Sequence, residues 1–254
     1  MRIGIARWAR LAGLAALVTA SAAFGGADPV HAAPITAPVV APVDVTAEDV
    51  ALSNEKVRQA YSALVAMWAE DFQERGTRFA PPRLVRYRGA MRTSCGVMSG
   101  NNAAYCTALN TIYYDDVFVA RQALAAGRAL GTDGDMAAVG IIAHEMGHAV
   151  AMQLGAGSPV PYHNEAAADC LAGAFTRRSA HDGSLEPGDL EEAFHGLAAA
   201  GDPTPRLTGN QRVDRRIVYR AALMGHGTRD QRLANFTAGY ERGADVCLSP
   251  ESAG

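Results

Sequence analysis

Residues 136–152 are apolar or small almost throughout, yet His144, Glu145 and His148 sit in the middle of the run. A stretch this apolar belongs in a core, and a core accepts polar groups only when they are paired or bound to something. Asp135 opens the segment after a glycine turn at 131–134, and Met136, Val139, Ile141, Ile142 and Val150 recur at helical intervals. The spacing predicts a helix over residues 135–154. Residues four apart share one helix face, so both imidazoles can reach one cation while Glu145 projects beside it.

The residue types suit a specific chemistry. Neutral imidazole binds Zn2+ at about 2.0–2.1 Å, and a fourth position left open keeps a water whose pKa falls towards about 7. The H-E-x-x-H pattern then makes Glu145 the general base, taking a proton from that water and passing it to a leaving amine. A third ligand is needed. Glu165 and Asp169 are again four apart on a predicted helix, so one carboxylate can ligate while the other accepts the free N–H of a ligating imidazole. Glu165 is the nearer and is assigned as the ligand, with Asp169 behind it; His163, two residues earlier, is the rival.

The ends of the chain point to export. Arg2, Arg7 and Arg10 precede an apolar run of about 14 residues, followed by small residues around Ala22 and Ala33. Residues 1–33 read as a signal peptide; the run is short for a bilayer span, and the rival reading is an uncleaved membrane anchor. Residues 34–45, with Pro34, Pro38 and Pro42, read as a Pro/Ala-rich linker, and residues 46–254 as one folded domain. A secreted or extracytoplasmic location makes the even cysteine count, Cys95, Cys106, Cys170 and Cys247, a two-disulfide framework with three pairings open. Pairing Cys95 with Cys106 would close a short loop and leave Cys170 and Cys247 to tie the C-terminus to the middle of the domain. A net charge of −3 excludes a nucleic-acid surface or an acidic-membrane surface.

Helical periodicity predicts a first helix over 48–75 with a Thr46/Asp49 capping box, one from Asp115 or Asp116 to about 130, and one capped by Asn164 and reaching 178. Two more are expected over 190–200 and 230–242. Residues 84–87 and 111–114 are candidate strands, with a stapled loop between Cys95 and Cys106. The fold class is therefore α+β, helix-dominated with a small sheet.

Several segments match one family in order: Cys95-Gly96, Tyr105-Cys106, Ile112-Tyr113-Tyr114-Asp115, Ala143 to His148, Glu165 to Gly173, Gly188 to Ala193, and His226-Gly227 through Gln231-Arg232 to Cys247. The chain resembles the neutral zinc metallopeptidases of bacteria, those with a glutamate third ligand. The resemblance implies a zincin-like domain with zinc as cofactor and a peptide or protein substrate; the export signal places it in the bacterial cell envelope or outside it. It implies an edge strand above the zinc helix that pairs with extended substrate, for which residues 112–114 are the expected segment. It also implies a later residue that stabilises the developing oxyanion, and His226 is the candidate. His181 and His195 receive no role. Two competing readings remain: a catalytically inactive secreted binding module that keeps a structural zinc, and a metal-free core in which the two imidazoles simply pack.

Overall fold

The computed structural model describes residues 44–248. The expected signal peptide and almost all of the linker lie outside them. Helix α1, Ala47–Glu74, starts at Thr46 with the anticipated capping box, the Thr46 and Asp49 side chains each accepting from the other's backbone amide. Its apolar stripe, including Val57, Leu64, Trp68 and Phe72, is fully buried. Strand β1, Arg83–Tyr87, follows, then a hairpin of β2, Met91–Thr93, and β3, Gly96–Met98. Strand β4, Ala103–Cys106, leads to β5, Thr111–Asp115.

The sheet order is β1-β5-β4, with β1 parallel and β4 antiparallel to β5. This corrects the expectation that residues 112–114 form the substrate edge: β5 is the central strand, every one of its residues is buried, and of the two edge strands, β1 and β4, it is β4 that packs on α3. The physical reason is burial on both faces, which makes a central strand a continuous apolar and aromatic run, whereas β4 carries only small residues and one tyrosine. Asp115 caps helix α2, Asp116–Leu130, by accepting from Val117 and Phe118 N–H, and also collects the Gly89 and Asn101 amides.

Helix α3, Asp135–Gln153, is the centre of the domain and packs against α1, α2, the sheet, α4 (Pro161–His181) and α5 (Asp189–Ala199). Helix α4 starts at Pro161, one turn earlier than expected. Asn164 does not cap it; its side chain instead holds the preceding loop by bonding both the Ser158 amide (2.8 Å) and the Ser158 carbonyl (2.9 Å). Helix α6, Gln211–Met224, capped by Asn210, was not anticipated, and none of its residues is buried. Helix α7, Arg229–Arg242, packs closely along α4.

Of the three pairings open to the four cysteines, the one formed is Cys95–Cys106 with Cys170–Cys247. The second spans 77 residues and fastens the C-terminal turn to α4 beside the functional cluster. Replacing Cys170 and Cys247 together by Ser is expected to lower stability by roughly 2–4 kcal/mol, because a long loop is released in the unfolded chain. Urea melts of parent and variant test this; overlapping curves would show that the bond constrains nothing.

Candidate metal centre

The site is built where α3 and α4 approach. A Cβ on Gly147 would lie 2.8 Å from the Ala168 carbonyl oxygen, so only glycine lets the two backbones come this close. The approach sets His144 and His148 opposite Glu165. The two imidazoles sit edge to face with ring centroids 4.8 Å apart. His144 Nε2 lies 3.1 Å from Glu165 Oε2, and His148 Nε2 lies 3.5 Å from Glu165 Oε1. One ligand atom from each of the three falls within 4.8 Å of the others. Tetrahedral zinc with bonds of about 2.0–2.2 Å keeps its ligand atoms about 3.3–3.6 Å apart, so the spacing fits such an ion. His163, the rival ligand, is not in this group; its Nδ1 meets the Ser158 hydroxyl at 3.2 Å.

Asp169, one turn beyond Glu165, is completely buried and faces His144 Nδ1 at 2.8 Å. A ring nitrogen facing a carboxylate donates, so Nδ1 carries the proton and Nε2 turns its lone pair to Glu165 unless a proton or a cation stands between them. Burial opposes a charge on His144, but Asp169 and Glu165 outweigh it and raise its pKa well above the ordinary imidazole value. The acidic surroundings that draw a proton to this point would draw a cation equally. His148 is held neutral, its pKa brought down to about 4 by burial and by the His144 charge. Burial resists ionisation of Glu165 as well, yet its bond to His144 and the imidazole charges bring it down to about 2.

Glu145 stands outside this ligand group. It is 7% exposed, and burial pushes its carboxyl up to about 7 against the pull of His144, with Glu165 adding to the rise. The Tyr105 backbone amide of β4 donates to it, which ties the edge strand to the cluster.

Nothing in the local sequence around Arg232 marks it as part of the site. This α7 side chain is 5% exposed and grips Asp169 with two bonds, Nη2 to Oδ1 at 2.7 Å and Nε to Oδ2 at 3.0 Å. Its Nη1 donates to the Ala200 carbonyl at 3.2 Å. Arg232 lies inside a segment that carries the family resemblance, but one arginine among many gives no sign that it is buried. His226 stands at the mouth of the site with a largely exposed ring, and its backbone amide donates to Asp202. It lines both cavities that flank the cluster, one of about 210 Å3 on the side of α5 and one of about 330 Å3 on the side of His148 and Glu165. Asn102 and Ala103, at the start of the edge strand, line both as well.

A helix-dominated α+β domain that gathers two imidazoles and a carboxylate around one point, beneath an edge strand, has the build of a zinc-peptidase domain. The chain belongs to the family described as "putative neutral zinc metallopeptidase", which it matches over residues 12–248. It is 35% identical over 192 residues to the "Uncharacterized protein YpfJ" of Escherichia coli K12, and equally to that of E. coli O6:H1 strain CFT073; the matches cover 69% of this chain. The chain spans 63% of the length of these curated relatives. No solved structure matches it.

Proposed function

We propose that the protein is a secreted zinc-dependent peptide hydrolase in which His144, His148 and Glu165 hold the metal and Glu145 is the general base. The observation that carries this reading is the convergence of three ligand atoms on one point, with a further acidic side chain, Glu145, beside them and outside the ligand set. Zinc bound there supplies Lewis acidity and lowers the pKa of water.

The chain's own residues do the rest. Glu145, lifted to about 7, has an affinity for protons suited to neutral pH: it takes one from water and gives it to the departing amine nitrogen. Asp169 fixes the His144 ring and its tautomer, and Arg232 fixes Asp169. The His226 ring, open to the cleft, donates to the carbonyl oxygen as it gains charge. An extended peptide adds to the edge of β4, whose residues line the cleft. The two disulfides support an oxidising compartment, and among the described residues no helix is long and apolar enough to cross a membrane. A structural zinc site normally closes with four protein ligands, so three ligands with a buried acid outside the set favour turnover over a binding module.

The test is a digest of a denatured protein mixture by the zinc-loaded enzyme with and without chelator. New peptide termini are expected, absent with chelator and restored by added zinc. Termini that are indifferent to chelator, or none at all, would overturn the assignment.

A further inference from the structure

Helix α6 differs from every other α-helix among the described residues in burying none of its side chains. Its charge is one-sided: Arg212, Arg215, Arg216 and Arg220 stand against a single acid, Asp214. That acid is taken up by the preceding loop, where it accepts from the Thr208 amide and hydroxyl at 2.7 and 2.8 Å and from the Gly209 amide at 3.1 Å. The surface arginines Arg58, Arg88 and Arg178 each reach a carboxylate, whereas, among the described residues, none of those on α6 does. Arg212, Arg216, Tyr219, Arg220 and Leu223 recur at intervals of three and four, so they share one helix face. The half-buried Asp214 and Ile217 lie on the other side, turned towards α4, on which the helix rests. Large apolar side chains stand in water on or beside the outward face: Tyr219 is 62% exposed and Met224 86%.

The net charge of −3 is a sum over the whole chain, and α6 departs from it in sign. Taken as a sum, the charge excludes an acidic-membrane surface; taken helix by helix, it does not. A polar face rich in arginine with exposed aromatic and aliphatic side chains beside it is the composition of a helix that lies in the plane of a bilayer surface. The guanidinium groups attract anionic headgroups, and the apolar side chains enter the boundary beneath them. A soluble polyanion such as DNA would neutralise the arginines but leave Leu223 and Met224 in water. We infer that α6 is a docking surface for an anionic phospholipid bilayer. Gly225 alone separates the helix from His226, which lines both cavities of the cleft, so docking brings the mouth of the cleft to the membrane. The surface goes beyond the peptidase reading and does not depend on it.

The experiment follows backbone hydrogen exchange of the full chain by mass spectrometry, with vesicles of equal parts phosphatidylglycerol and phosphatidylcholine or of phosphatidylcholine alone. Exchange is read peptide by peptide, so contact through α6 is told apart from contact through any other part of the chain. The anionic vesicles are expected to slow exchange over residues 211–224, and the zwitterionic ones are not. Raising the ionic strength from about 0.15 M to about 1 M should abolish the effect, because the screening length falls from about 8 Å to about 3 Å. Replacing Arg212, Arg216 and Arg220 together by Gln should raise the lipid concentration needed for half the protection about a hundredfold. These side chains are exposed and Gln is a comparable helix former, so the fold stays intact. Equal protection by both kinds of vesicle, protection confined to other segments, or no response to the arginine replacements would each overturn the inference. So would protection by a short DNA duplex and not by the vesicles, which would make the partner a soluble polyanion.

Discussion

Glu145→Gln is expected to keep its zinc and lose peptide hydrolysis by a factor of about 10²–10⁴, the usual worth of a positioned general base. The substitution changes almost nothing but proton affinity. Gln has the same shape, its oxygen can still accept from the Tyr105 amide, and Glu145 is not one of the three atoms that converge on the metal point. Because burial already disfavours the charged carboxylate, a neutral amide at this position costs the fold little. Metal analysis of the purified variant and kcat/KM on a cleaved peptide measure the two quantities separately. A variant that loses zinc as well would make Glu145 a ligand; one that cleaves at the parental rate would place the base elsewhere.

Arg232→Met should lower stability by about 3–5 kcal/mol, the usual cost of breaking one side of a buried ion pair. Asp169 has no exposed surface, and its two guanidinium bonds are the larger part of its satisfaction. Without them a carboxylate is left in the core with only the His144 ring for a partner, and the Ala200 carbonyl loses its donor. For a domain of this size each kcal/mol moves Tm by about 2–4 °C, so a drop of roughly 6–20 °C is expected. Adding Asp169→Asn to Arg232→Met should recover part of the loss by removing the stranded charge. Thermal melts of the three proteins, with and without zinc, give the answer. A shift below about 2 °C would mean that Arg232 does not hold Asp169 in place.

Local spacing made much of the site legible. His144, Glu145 and His148 were readable because the helix repeat alone puts the imidazoles on one face. Glu165 and Asp169 followed from the same rule, and the structure puts one against both imidazoles and the other behind His144. Thr46 and Asp115 announced their helices through side chains that bond the first free amides. Helix α6 had a comparable signal in Asn210, which accepts from Arg212 and Val213 N–H, but its apolar residues face no core and the pattern did not declare itself. Asn164 misled for the converse reason: its side chain bonds a loop 6 residues back in the chain rather than its own helix.

By itself the sequence determined what depends on neighbours within a turn or two: the helices, their caps, the pairing of histidines on α3 and of acids on α4, and the family. Tertiary structure alone decided that β4 and not β5 is the edge strand beside α3, that Arg232 reaches across 63 residues to Asp169, and that α3 and α5 enclose a cavity beside Glu145. The division has a physical cause. Helix periodicity is a property of consecutive residues, whereas the edge of a sheet, the partner of a buried charge and the walls of a cavity are supplied by segments far along the chain, whose approach is set by the packing of the whole core.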